Sequence, residues 1–517
     1  MKNQYKIITS FLLLTFLFGC SEDLLDKTPI DRLSPSTFFQ NETQCKMALM
    51  GVYNAIQPNA TPSHFYQFEF MSDNGYCQAP WQGSNEVGSW TTNSNSWAPG
   101  AKWSMDYAII ARANEFLQDI ATASVSDAVK NPMVAEAKFL RAYAYSDLIT
   151  YFGDVPLITK VLAFADAYVK RNPKSEVLTQ ILADYTEAAN ALPISYSGSN
   201  LGRATKGAAL AYKAKILLHN QKWAEAAQAA KEVIDLKRYD FYPNYADLFT
   251  EAHENNVEVI FDIQYIQTQS QPWPAATPLI EWPTSNITAD MINSYYMING
   301  KPITDPTSGF NDQNPFVNRD PRLDATVVLP GTKMGSAILI PAIAAELPCS
   351  ARPRKYAEYG VPDVQVSSLN TILMRYADIC LMRAEALIES GSTAQEIYDL
   401  INKVRTRVGM PKVESVEGAG LNQTQLRQIL RHERRVEFCM EGTRYADMLR
   451  WKDVSLVHDV FGYDKSKLSD PTDPAKWVFS QIKIATTTFN ATKGWLWPIP
   501  QGDININKNL LPNNPGY

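Results

Sequence analysis

The sequence predicts a mainly α fold: tetratricopeptide-like helix pairs form a scaffold, and long irregular loops with a few short strands carry the site. Three observations predict it. Apolar residues recur at helix spacing in two blocks, 101–239 and 366–451. The first block holds a helix–turn–helix of about 31 residues, close to the ~34-residue tetratricopeptide period. Between the blocks, residues 240–365 are rich in Pro, Gly, Asn, Thr and aromatics and show little period.

The chain opens on an address. Lys2 and Lys6 precede an almost wholly apolar run, Ile7 to Phe18. A membrane-spanning helix needs ~20 such residues; this shorter run has the length of a signal-peptide core. Leu17-Phe18-Gly19-Cys20 then places a small residue at a cleavage point and a thiol directly after it, the pattern of a bacterial lipobox. Residues 1–19 are therefore read as a signal peptide and Cys20 as the lipidation site, anchoring the chain to a membrane. The mature chain, 20–517, is read as a single domain. It comprises an N-terminal tether with loops (20–100), the two helical blocks, the loop-rich insertion (240–365) and a C-terminal segment (452–517).

In the first block, Ala101 to Ala121, Val134 to Tyr151 and Glu176 to Leu192 read as helices, with Gly153-Asp154-Val155-Pro156 as punctuation. Lys206 to Asn220 and Lys222 to Leu236 form the tight helix pair. Small residues at Ala214, Ala226, Ala227 and Ala230 let its members pack closely. Val257 to Tyr265 reads as a short strand. In the second block, Leu373, Ala377, Cys380, Leu381, Ala384, Leu387 and Ile388 mark one apolar helix face. Gly391 breaks that helix, and Thr393 is expected to cap the next, which runs to Arg407. Gln425 to Arg450 supplies further helix, interrupted at Gly442.

Charge and chemistry exclude several classes. There are 48 basic and 54 acidic residues. Two lysines and no acids leave with residues 1–19, so the mature chain has 46 against 54. A nucleic-acid groove needs the opposite balance. Five cysteines remain beyond Cys20, too few and too odd a number for a disulfide framework. The histidines His64, His219, His253, His432 and His458 have no metal-ligand spacing, and no nucleophile elbow or phosphate loop is present. Neither a metal nor a cofactor is expected. Glu433, Glu437 and Glu441 lie at i, i+4, i+8 with Arg431, Arg434, Arg435 and Arg444 nearby. Cations depress carboxylate pKa values, whereas a general acid needs a raised one, so the cluster reads as a structural ion-pair network.

Several segments together resemble one family, the SusD/RagB-type outer-membrane nutrient-binding lipoproteins. They are Cys20-Ser-Glu-Asp with Pro29 and Phe38-Phe39; Trp103 with Tyr107 and Asn114; and Ala135 to Tyr143. Tyr151 to Pro156, Asp320-Pro321-Arg322-Leu323, and Arg375-Tyr376-Ala377-Asp378 with Arg383 to Ala386 follow. Ile401-Asn402 with Arg405, the 433–451 block, and Trp497-Pro498-Ile499-Pro500 with Asn507 and Asn509 complete the set. Their order spans essentially the whole mature chain. The resemblance implies a protein on the outside of the outer membrane that binds a glycan and caps a SusC-like TonB-dependent transporter. A peptide ligand, as in the RagB-like branch, is the alternative, and a surface glycoside hydrolase a third reading.

Sugars offer flat C–H faces to aromatic rings and hydroxyls to polar side chains. Residues 72–103 hold four of the eleven tryptophans among Ser, Asn, Thr and Gly. Trp81, Trp90 and Trp97 fit no helix or strand period and are the expected glycan contacts. Trp273, Trp282 and Tyr296 of the insertion, with Asp73 and Arg354 as hydrogen-bonding partners, complete the candidate set. Trp103, Trp223, Trp451, Trp495 and Trp497 are expected to pack.

Overall fold

The computed structural model describes residues 38–58, 65–266, 284–329, 332–334, 337–338, 349, 351–358, 367–468 and 476–517. Cys20, Trp273 and Trp282 lie outside these. Among the described residues, ten helices of eight residues or more form the framework: α1 Glu42–Asn54, α2 Trp97–Ile120, α3 Asp127–Tyr151, α4 Lys174–Ala191, α5 Lys206–His219, α6 Trp223–Asp235, α7 Tyr376–Glu389, α8 Gln395–Arg407, α9 Gln423–Glu437 and α10 Arg444–Trp451. In the first block each helix packs mainly on its sequence neighbour: α2 on α3, α3 on α4, α4 on α5 and α5 on α6. The stacking continues from α6 directly onto α7. The two helical blocks are thus one array, with the insertion leaving after α6 and returning before α7. The mainly α, tetratricopeptide-like expectation holds.

Local details follow from side chains. α5 begins at Thr205, whose hydroxyl accepts from the Ala208 N–H. α9 begins in a capping box between Asn422 and Gln425. α2 starts four residues before the expected Ala101, because Pro99 is tolerated in a first turn, where its missing N–H costs nothing. Thr393 does not cap α8; Ala394 holds that position, and the Ser392 hydroxyl accepts from its N–H. The break at Gly442 is a steric demand. Its φ is +68°, and a Cβ there would sit 2.2 Å from the Phe65 carbonyl oxygen.

Strands occur as two-stranded ribbons. β1 (Gly75–Cys77) pairs antiparallel with β3 (Ser285–Ile287), and β2 (Val259–Ile263) with β4 (Thr371–Arg375). The second ribbon ties the start of the insertion to its end, just before α7. Two apolar cores result. One runs through the helical array; the other lies beneath the insertion, around Phe70, Met291, Tyr295, Leu323, Tyr356 and Tyr463. Cys45, Cys77, Cys349, Cys380 and Cys439 are all buried and unpaired. Burial pushes the thiol pKa up, to about 11 at Cys77 and about 12 at Cys380.

A buried ion network joins the two cores. Arg322 reaches Glu433 at 2.6 Å, Glu437 at 2.9 Å and Asp320 at 2.6 Å. Arg375 reaches Glu437 at 2.6 Å, Glu258 at 2.8 Å and Glu441 at 2.7 Å. Arg407 pairs with Glu258 at 2.9 Å and also with Glu437. Lys355 meets Glu441 at 2.8 Å. The cluster forms an ion-pair network, but two details differ from expectation: burial outweighs Arg322 and Arg405 at Glu433 and raises its carboxyl, and the partners are not the arginines adjacent in sequence. Arg434 turns to Asp378 and Asp447, Arg435 and Arg444 turn to Asp73, and Arg431 lies over Trp451. Successive helix residues point about 100° apart, so neighbours of the glutamates on α9 face elsewhere. Burial alone would raise the Glu437 carboxyl; Arg407, Arg375 and Arg322 together outweigh it and hold it well below the usual range.

Removing one member of a buried network leaves the rest uncompensated. Glu437→Gln is expected to cost about 3–5 kcal/mol in urea unfolding. Glu42→Gln, at the exposed pair with Lys46, is expected to cost under about 0.5 kcal/mol. The folded-state pKa values of Glu437, Asp73 and Asp447 are all depressed. Their stabilisation is therefore complete above the unfolded carboxylate pKa, about 4, and is lost as pH falls through and below it. Thermal melting followed by circular dichroism should show the midpoint dropping from pH 5 to pH 3.

Candidate functional site

The β1–β3 ribbon forms a ledge at the edge of the insertion. In β1 the burial alternates, so Gly75 and Cys77 face inward and Tyr76 faces out, half-buried. Gly75 is required: a Cβ would lie 2.5 Å from the Phe70 ring and 3.2 Å from the Asn286 carbonyl oxygen. A one-turn helix, Pro80–Gln82, follows and ends at Gly83 in the left-handed region. The fully buried Gln82 holds this turn. Its carbonyl accepts from the Gln67 amide at 3.1 Å, and its own amide donates to the Thr284 hydroxyl at 2.7 Å. The Asn85 amide donates to the Cys77 carbonyl at 3.0 Å. Trp81, between two anchored residues, remains 50% exposed.

Asp73, just before the ledge, is held by two arginines. Its side chain is 2% exposed. Both carboxylate oxygens accept from Arg444, each at 2.7 Å, and Arg435 stands 3.1 Å away. Arg435 also donates to Asn74 Oδ1 at 2.8 Å and pairs with Asp290 at 2.6 Å. Burial would raise the Asp73 carboxyl, and Arg435 and Arg444 overcome it, keeping the group ionised. Asp73 braces the loop against α9 and α10. Asp73, Asp290 and His458 lie close enough to hold an ion. The Arg435 guanidinium already supplies the cation to both acids, so these residues do not fit a metal.

Trp90 likewise packs. Its ring meets Trp495 at 5.1 Å, Phe489 at 5.3 Å and Tyr445 at 6.3 Å. Its backbone is left-handed, φ +61°, one residue beyond Ser89, the C-cap of the short helix Asn85–Gly88; that strain persists only where packing holds it. Trp97 is the first residue of α2 and is 46% exposed. Tyr296 stacks on His432 at 3.8 Å, and burial holds the His432 imidazole down at about 4, hence neutral. Arg354 is a surface residue paired with Asp324 at 3.1 Å. Trp103 is core, as expected, edge-on to Phe152 at 5.1 Å. Among the described candidates, Trp81 and Trp97 therefore keep open ring surface, while Asp73 and Trp90 are committed to structure.

The structure also shows what the sequence does not signal. A cleft of about 980 Å³ lies between the 153–154 turn, the start of α4, the α5–α6 turn, the end of α10 and residues 491–496. Arg171, Lys174, Arg450, Lys452 and Lys493 line it against one acid, Asp154. These residues are far apart in sequence, and each reads alone as an ordinary surface charge.

Residues 253–517 match the SusD family, and residues 23–218 match a family described as starch-binding associating with outer membrane. A SusD-like protein of Formosa agariphila is 27% identical, the match covering 99% of this chain and all of that protein. A SusD-like protein of Bacteroides ovatus is 28% identical over 87% of this chain and 83% of its own. The crystal structure of a SusD-like carbohydrate binding protein from Bacteroides fragilis superposes with a TM-score of 0.80 at 29% identity, covering 92% of this chain and all of that one. The framework of paired helices, the insertion they carry and these matches lead to one conclusion: this chain belongs to the SusD family.

Proposed function

We propose that the protein is an outer-membrane lipoprotein, anchored through Cys20 and facing the cell exterior. It captures a glycan at the ledge and delivers it to a SusC-like TonB-dependent transporter, without catalysis. The observation that carries this reading is Trp81: a half-exposed indole on a turn anchored by its buried neighbour Gln82, which bonds to Gln67 and Thr284. A large ring already held in place stacks on a sugar with little further loss of freedom. Trp97 offers a second such surface. Further support is the carbohydrate binding named for the B. fragilis relative and the starch binding named for the family matched by the N-terminal half. The acidic cluster supports a non-catalytic role, since Glu433, Glu437 and Glu441 are all sealed among cations.

Affinity electrophoresis of residues 21–517 in gels cast with different polysaccharides tests the ligand. One glycan is expected to retard the protein, and Trp81→Ala to weaken that binding about tenfold or more. Trp90→Ala is expected to lower the melting temperature instead. Retardation by no glycan, with binding to a protein hydrolysate, would sink this reading in favour of peptide capture. For the anchor, Cys20→Ser is expected to move the protein from the membrane to the soluble fraction.

A further inference from the structure

We propose that the basic cleft is a second binding site, separate from the ledge, for an acidic oligosaccharide bearing uronate or sulfate groups. Charge is the first argument. The chain as a whole is acidic, at -6. Arg450 is closed by Glu385 and Asp447, but four further cations, Arg171, Lys174, Lys452 and Lys493, line this cleft against a single acid. One acid is too few for the set: the Asp154 carboxylate accepts from the Lys174 backbone N–H at 2.8 Å, at the start of α4, and is the one acid that acts on both Arg171 and Lys174. Arg171 donates its hydrogen bonds to neutral oxygens, those of the Asp154 and Pro512 carbonyls and the Asn514 side chain. Lys493 is held in the same way by the Thr92 carbonyl at 2.5 Å. Burial, and next the neighbouring Lys452, hold the Lys174 ammonium below its ordinary pKa. Two ammonium groups kept close, with Asp154 offsetting only part of their charge, create a place where an anion gains most.

Shape is the second argument. About 980 Å³ exceeds what an isolated small anion needs and lies in the range of ligand-binding clefts. Trp495 forms part of the wall, and its indole is fixed from behind by Trp90 and Phe489. An aromatic wall facing cations suits a ligand with both an apolar ring face and negative groups, which an acidic sugar has and a bare anion lacks. His219, half-buried at the same wall and held neutral by desolvation, adds no competing charge.

The test uses isothermal titration of the mature lipoprotein in detergent with tetragalacturonate, a sulfated tetrasaccharide, a neutral tetrasaccharide and inorganic sulfate. At least one acidic tetrasaccharide is expected to bind and quench tryptophan fluorescence, with affinity falling as salt rises. The neutral one is expected not to bind. Lys174→Ala/Lys452→Ala is expected to weaken acidic binding about ten- to a hundredfold while its melting temperature is kept. Binding of neither acidic saccharide overturns the proposal, as does inorganic sulfate binding as tightly as the saccharide. So does acidic binding that survives the double variant but is lost in Trp81→Ala; that result would place the saccharide on the ledge and leave the glycan reading standing.

Discussion

The carboxylate of Glu437 is the point on which the rest of the structure depends. It is sealed from water and touched by Arg322, Arg375 and Arg407, which come from the insertion, the strand before α7 and the end of α8. Three separate chain segments must be in register for one buried charge to be compensated. A buried charge left unpaired is far more costly than a missing apolar contact. The network thus acts less as a source of net stability than as a constraint on arrangement. It tolerates one placement of the insertion on the helical array.

The same logic repeats outward at smaller scale. Arg444 and Arg435 close on Asp73, and Arg435 also holds Asn74 and Asp290. Asp73 and Asn74 immediately precede β1, so the ledge begins from a clamped position. Rigidity is passed from α9 to the clamp, from the clamp to β1, and from β1 through Gln82 to the turn that carries Trp81. The exposed indole stands at the end of a chain of fixed groups.

Much of the scaffold was legible in the sequence, because helix period survives in a buried face. Leu373 to Ile388 and Lys206 to Leu236 announce their helices without reference to anything distant. The family resemblance carried the rest of the architecture. The site was less legible. An aromatic residue in a polar loop has the same local signature whether it is open or packed, and only the tertiary partners of Trp90 (Trp495 and Phe489, some 400 residues away) separate it from Trp81. Asp73 is a similar case: its Ser-Asp-Asn context says nothing of two arginines near residue 440. The partners of Glu433 and Glu437 were misjudged because proximity in sequence was taken for proximity in space. The cationic cleft left no local trace, since its cations come from three separate segments, around 171–174, 450–452 and 493.

The five buried thiols have a consequence for how such a chain matures. On the proposed cell surface, oxidising conditions would turn accessible cysteines into mixed disulfides or cross-links. Here each sulfur lies inside a core, and burial keeps it protonated and poorly nucleophilic. The fold therefore owes nothing to oxidative cross-linking. It can be completed after export by burial and charge pairing alone, with no disulfide catalyst required at any stage of the journey.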